Sequence, residues 1–334
     1  MIRHRPPVRP SDRRGFALIA ALWLLVAFSV LGLGFSLRAR THRLAVANAI
    51  EGAAGRAAAE GALALVQARL AAAGRAVRDL GTADPQRVLD PWGQADTLVR
   101  DTLTLDGPSD RPTARPSAEA LVSVVDLGAR LHLNLASEDD LRRFFRGLRV
   151  DFGQSDRLAQ TIADWRDADQ LHRARGAERD LYLKEGRTAL PADAPFARVS
   201  DLREVRGMTP EIYAKAAPYL TVLGTGRTNL ASAPREVLLA LPGLTEEAAA
   251  VILRAREGRR PLRDFNTLLL QLPSGPREAL AQAVPALQGR VVFETVELLA
   301  TATGWRDGSP VRKRVEGLFV RAGDAAFLTW TRAE

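Results

Sequence analysis

The 334-residue chain contains no cysteine. A disulfide framework is therefore excluded, although this absence fits any compartment. His132 and His172 lie in no recognisable nucleophile or zinc pattern. No run of five or six like charges appears, so there is no charged tail of the kind that docks on nucleic acid. The formal charge of +8 is concentrated at the start of the chain. Residues 1–15 hold five Arg and one Asp, so their removal lowers it to +4. Between Phe16 and Leu37 there is no charge, and between Ala45 and Gly74 there is no proline.

Those last two absences define one element. Twenty-two uncharged residues rising as a helix cover roughly 33 Å, enough to cross the hydrocarbon core of a bilayer. A secretory signal peptide has a shorter apolar run that ends in small residues. Here the run ends at Phe35-Ser36-Leu37-Arg38, which fits that reading poorly. A plain signal anchor and a cleaved leader both remain. The Arg13-Arg14-Gly15-Phe16 junction resembles a type IV prepilin cleavage site, with Gly15 ending the leader and Phe16 becoming the new N-terminus. Arg3, Arg5, Arg9, Arg13 and Arg14 favour a cytoplasmic start, while Arg38, Arg40 and Arg43 argue the other way, so charge bias alone does not settle orientation. Beyond the apolar run the chain is rich in Ala, Arg and Glu, all good helix formers. Leu44, Ala47, Ile50, Ala54, Ala58, Leu63, Leu65 and Leu70 follow helical spacing. One helix from about Phe16 to about Ala73 is expected.

A turn-rich break from Gly81 to Gln94 follows, then strand-like segments at 96–105 and 118–133 with a Pro-containing loop between them. From Asn134 to about Leu287 the pattern is helical and repeats. Asn134-Leu135-Ala136-Ser137 recurs as Asn229-Leu230-Ala231-Ser232, and Ile162 with Arg166 recurs as Ile252 with Arg256. Ser137 and Ser232 are expected as helix N-caps, with Asp140 favourable and Arg235 unfavourable at the third position after each. Strands return from Arg290: 291–303, 311–321 and 326–331, with Asp307-Gly308 in a turn. Strands on both sides imply a helical block inserted into one α+β domain.

Leu241-Pro242-Gly243-Leu244-Thr245 and Val205-Arg206-Gly207-Met208-Thr209 look like helix-hairpin-helix turns. DNA-binding versions carry a second glycine where Thr245 and Thr209 stand, which lets backbone N–H groups approach a phosphate. Glu246, Glu247 and Glu211 would repel one. Packing is the stronger reading, and a membrane-tethered DNA receptor is the alternative. A carboxylate cluster stands out in Asp164-Trp165-Arg166-Asp167-Ala168-Asp169 and Gly176-Ala177-Glu178. Asp164 and Asp167 are spaced to share a helix face. Hard oxygen ligands gathered from a helix end and a loop suit Ca²⁺, although the spacing is not that of an EF-hand. Acidic surface turns without a metal are common.

In order and spacing, these segments resemble the type II secretion system protein K family, the largest minor pseudopilins. The resemblance rests on Arg13-Arg14-Gly15-Phe16, the Asp164 to Asp169 segment, Gly176-Ala177-Glu178 with Tyr182, Val199 to Tyr213, and Asn229 to Arg256. Most pilins carry Glu at the fifth mature position. Here that position is Ala20, as in the K-type members. The resemblance implies an α+β fold, with a pilin-like long N-terminal helix packed on an antiparallel sheet and an inserted all-α domain of two SAM-like, helix-hairpin-helix units. The implied divisions are a leader at 1–15, a transmembrane half-helix at 16–37 and a periplasmic half-helix at 38–80. A pseudopilin core at 81–133 and 289–334 would flank helical units at 134–225 and 226–288. The implied role is non-enzymatic, at the tip of a pseudopilus in a Gram-negative inner membrane with the bulk of the chain periplasmic. Its implied partners are I-type and J-type minor pseudopilins, the inner-membrane secretion assembly, prepilin peptidase and membrane lipid, and no nucleic acid. Asp164, Asp167, Asp169 and Glu178 are the implied Ca²⁺ ligands. Arg179 departs from the acidic residue that many relatives have there, which puts one calcium site in doubt.

Overall fold

The computed structural model describes residues 13–81, 103–105, 118–258, 262–323 and 325–333. The leader up to residue 12, most of the break at 81–94, the start of the 96–105 segment and the loop before residue 118 lie outside them. Helix α1 runs without interruption over Arg13–Gly81, as a chain of helix formers free of proline should. At 69 residues it is roughly 100 Å long. Its first half is apolar and exposed, with Leu22, Trp23, Leu25, Phe28, Leu31 and Phe35 all open. It is the one helix among the described residues long and apolar enough to cross a bilayer.

The second half of α1 is buried along one face. Ala58, Ala59, Ala62, Leu63, Val66 and Leu70 pack on a five-stranded antiparallel sheet. Its strands are β1 (Leu103–Leu105), β2 (Ala118–Asp126), β7 (Glu297–Arg306), β8 (Lys313–Ala322) and β9 (Ala325–Ala333), lying side by side in that order. Period-two alternation sends Ala120, Val122 and Val124, then Leu298, Ala300 and Ala302, then Val315 and Phe319, into the same core. The alanines bring helix and sheet unusually close at Gly55 and Gly304. A Cβ on Gly304 would lie 2.1 Å from the Gly55 carbonyl oxygen and 2.6 Å from the Ala59 nitrogen. Further anchors are Gln67, which donates to the Ala326 carbonyl at 2.9 Å, and Glu51, which accepts from Ser309 at 2.6 Å.

Strands β2 and β7 pair directly from Ala118–Arg306 to Asp126–Leu298. All of 127–296 is thus inserted where a hairpin loop would stand. The strand-like 118–133 segment and the long strand expected at 291–303 are both interrupted here. The first ends at Asp126, whose Oδ1 accepts from the Gly128 amide at 2.8 Å and starts a short 3-10 turn. The second divides into β6 (Val291–Val292) and β7, because β6 pairs with the insert and not with the sheet.

The insert holds β3 (Leu131–His132), α2 (Glu138–Gly147), α3 (Phe152–Arg166), α4 (Arg179–Lys184), α5 (Pro210–Ala216) and β4 (Leu220–Thr221). A second run follows, with β5 (Thr228–Asn229), α6 (Arg235–Leu238), α7 (Glu246–Glu257), α8 (Phe265–Gln271), α9 (Ser274–Leu287) and β6. Each run is closed by a two-residue parallel pair, β3 with β4 and β5 with β6. The repeat is real, but its register differs from that of the matching letters. Leu133 N–H donates to Thr221 and Leu230 N–H to Val292. Ala136 N–H donates to His132 and Ala233 N–H to Asn229. Arg166 donates to the Leu133 carbonyl and Arg256 to that of Leu230. His132 is therefore equivalent to Asn229, and Ser137 to Pro234, two residues off the sequence match. Ser137 caps α2 in a capping box with Asp140, as expected. Ser232 caps nothing, because α6 begins after Pro234. Its hydroxyl donates instead to Asp126 at 2.6 Å.

Gly304→Ala should force α1 away from β7 and destabilise the fold by about 1–3 kcal/mol. Urea unfolding of the detergent-solubilised chain followed by circular dichroism measures this, and an unchanged midpoint would rule out the close approach.

Candidate metal centre

Helix α3 ends at Arg166 with Asp167 as its C-cap in extended backbone. Asp164 thus sits on the last helical turn while Asp167 has left the helix. The chain then loops through Asp169, whose Oδ1 accepts from the Leu171 amide at 2.8 Å. It returns at Gly176, where an added Cβ would lie 1.8 Å from Asp164 Oδ2. Only glycine fits there. The next residues, Ala177 and Glu178, are buried. Glu178 stands at the N-cap of α4 yet makes no capping hydrogen bond. Its side chain turns inward, 1% exposed, and neither carboxylate oxygen has a hydrogen-bond partner.

One oxygen each from Asp167, Asp169 and Glu178 lie within 4.8 Å of one another. Two oxygens on opposite sides of a Ca²⁺ ion stand about 5 Å apart at most, so this set can share one ion. Asp167 Oδ1 is buried and unpartnered, and so is Asp193 Oδ1. Sequence reasoning missed Asp193. Its loop approaches from a different part of the chain, and its backbone at φ +50° gives the only local hint of a special role. Asp164, the fourth residue expected from sequence, is fully buried, but both its oxygens are taken by Arg173. Nη1 donates to Oδ1 at 2.5 Å and the backbone amide to Oδ2 at 3.2 Å. Burial pushes the Glu178 carboxyl up to about 7, reinforced by the charges of Asp164, Asp167, Asp193 and Asp169. Four unpartnered oxygens in such a place are what a bound cation would satisfy.

A rigid floor holds the cluster. Trp165 stacks on Phe196 with centroids 6.0 Å apart and meets Tyr182 edge-on at 5.6 Å. Asn134 fixes the Phe196 backbone by two hydrogen bonds, at 2.8 and 3.0 Å. The Tyr182 hydroxyl accepts from the Arg206 amide at 2.8 Å.

The two hairpin turns are packing devices. Thr209 and Thr245 accept from the Ile212 and Ala248 amides at the starts of α5 and α7. They occupy donors that a phosphate would need. Gly243, at φ +73°, is pressed against α9, where a Cβ would lie 2.5 Å from that of Ala283.

A long, partly exposed helix on an antiparallel sheet, with a helical insert, defines a pilin-like α+β protein. One solved structure shares that fold over 89% of this chain and 99% of its own, with a TM-score of 0.61 at 17% identity. It is described as "The Crystal Structure of the GspK-GspI-GspJ complex from enterotoxigenic Escherichia coli Type 2 Secretion System". The family described as "Type II secretion system (T2SS), protein K" matches residues 117–225. A putative type II secretion system protein K from Escherichia coli K12 is 31% identical over 137 residues, covering 37% of this chain and 42% of the relative. The protein K of Dickeya chrysanthemi is 30% identical over 134 residues, 36% and 37% of the two chains. That of Aeromonas hydrophila is 26% identical over 194 residues, 55% of each. The matches span roughly two-fifths to a little over half the length of these curated relatives. Residues 117–225 thus match the type II secretion system protein K family, and the sequence similarity to curated protein K chains points the same way.

The raised Glu178 carboxyl has a pH consequence with a definite sign. A carboxyl that titrates near 7 when folded, against an ordinary 4.5, binds more protons in the folded state between those values. In chelator, stability should therefore fall as pH rises from about 5 to about 8. Thermal unfolding of wild type against Glu178→Gln checks this, since the variant should lack that part of the decline. Parallel profiles would exclude a raised Glu178.

Proposed function

We propose that this protein is a minor pseudopilin at the tip of a type II secretion pseudopilus, where it helps to export folded proteins across the outer membrane. Its role is assembly and not chemistry. The observation that carries the reading is the joining of an exposed membrane-length helix to a sheet whose β2–β7 hairpin is opened by a bulky helical insert. Such a head leaves room below it along α1 for other subunits and obstructs addition above. Ala20 supports the same position. A carboxylate within the membrane is costly unless paired, and a tip subunit has no neighbour above to pair with. The solved complex of related fold holds protein K with GspI and GspJ. I-type and J-type minor pseudopilins are accordingly the partners proposed here. The head lies in the periplasm, anchored by α1 in the inner membrane, with prepilin peptidase cutting between Gly15 and Phe16.

Calcium is proposed as a structural ion on Asp167, Asp169 and Glu178, clipping the 167–178 loop to the end of α3. The support is the buried, unpartnered Glu178 carboxylate. Its chemistry there is charge neutralisation and loop fixing.

Protein recovered from membranes of cells with an active prepilin peptidase should begin at Phe16 by mass spectrometry and should co-purify with I-type and J-type subunits. An intact Met1 would leave a plain signal anchor and remove the pseudopilin reading.

A further inference from the structure

We infer that Arg173 is a resident counter-cation that divides the carboxylate cluster, so that the protein holds one Ca²⁺ and not two. The inference rests on the reading of the cluster as a calcium site. Its starting point is the unequal treatment of oxygens that share one small volume. Arg173 Nη1 donates to Asp164 Oδ1 at 2.5 Å and to Asp167 Oδ2 at 2.6 Å, and its Nε stands 3.3 Å from Glu138 Oε2. Those three carboxylates form a satisfied half. The other oxygen of Asp167, both oxygens of Glu178 and Oδ1 of Asp193 have no partner and are buried. Asp167 is the hinge between the halves, with one oxygen turned to each. Asp169 completes the unsatisfied half within 4.8 Å of Asp167 and Glu178.

Charge explains why the guanidinium replaces an ion. Asp164 is fully buried, and an uncompensated charge there would be strongly unfavourable. Arg173 supplies the compensation permanently, and its planar fork bridges two carboxylates at once. It also fills the space in which a second cation would meet Asp164, Asp167 and Glu138. The single positive charge lowers the pull of the remaining half on calcium without occupying any of its oxygens. Asp193 adds negative charge beside this half without joining the three-carboxylate set, so the site is a clip between the end of α3 and the loop that returns at Glu178.

The experiment counts calcium on the full mature chain in detergent, by equilibrium dialysis after chelator treatment, alongside thermal unfolding with and without calcium. Wild type should take one ion. Arg173→Gln frees oxygens of Asp164, Asp167 and Glu138 and should take two, with a larger thermal gain on calcium addition. Arg173→Lys keeps the charge and should stay at one. Two ions on wild type, or one ion with an unchanged thermal gain on Arg173→Gln, would overturn the inference. If Arg173→Gln folds only with calcium present, that dependence is the expected behaviour of an uncompensated Asp164, and the wild-type and Arg173→Lys counts still decide. Zero calcium on every form would instead reject the calcium reading on which the inference rests.

Discussion

The direct pairing of β2 with β7 is the constraint on which the remaining architecture depends. These strands are separated by residues 127–296, so their ladder forms only if a large segment closes on itself and returns. Loop closure alone grows slowly with length and opposes such an insertion only modestly. Orientation is the harder requirement, and two carboxylates at the junction, half-buried Asp126 and buried Glu297, meet it. Asp126, ending β2, accepts from Gly128, Asn229, Ser232 and Thr295. Glu297, opening β7, accepts from the amide and hydroxyl of Thr225 at 2.8 and 3.0 Å. Burial pushes the Asp126 carboxyl up while those hydrogen bonds pull it down. The second helical unit is thus tied to the sheet by its entry turn.

The two units of the insert share one internal device. In each, an arginine from a helix reaches back to the carbonyl of the leucine that follows the first short strand. Arg166 bonds Leu133 and Ala136, and Arg256 bonds Leu230. Burial pushes the Arg256 guanidinium down to about 10. Placing a charge there is unfavourable unless it satisfies carbonyls that the short parallel pairs leave open. A two-residue ladder leaves many such carbonyls. The arginine serves where a longer sheet would otherwise be needed, and it lets a small helical unit begin and end at the same place.

The α1 span, the strand–helix–strand order and the residues that carry the family resemblance were legible because they follow composition and period. The repeat was legible as a repeat but misread in register. Asn134-Leu135-Ala136-Ser137 and Asn229-Leu230-Ala231-Ser232 share letters, yet the backbone equivalence is set by which amide reaches the closing strand. Letters record side chains, and this register is a backbone property. Ser232 was misassigned for the same reason, since its hydroxyl serves the junction and not a helix. Asp193 was invisible in the sequence because its only local mark, a positive φ, is a property of the folded backbone. Its neighbours lie on a separate loop, and the Trp165–Phe196 stack together with the Gln170 amide donating to Asp193 Oδ2 at 3.0 Å brings the two loops together.

Arg173 was the residue most open to misreading, since an arginine between two acidic motifs looks like an ordinary solvated charge. In the fold it lies between a carboxylate that must be neutralised at all times and others that are left open. A fully buried Asp164 requires a permanent partner, because folding would otherwise wait on the metal. Both Glu178 oxygens, Asp167 Oδ1 and Asp193 Oδ1 have no such partner, and the neighbouring negative charges push the Glu178 carboxyl up. The arrangement separates two tasks that a single cluster would otherwise confuse. The protein side chain secures the end of α3 so that the helical unit can fold. On the calcium reading proposed above, an exchangeable ion would secure the 167–178 loop afterwards.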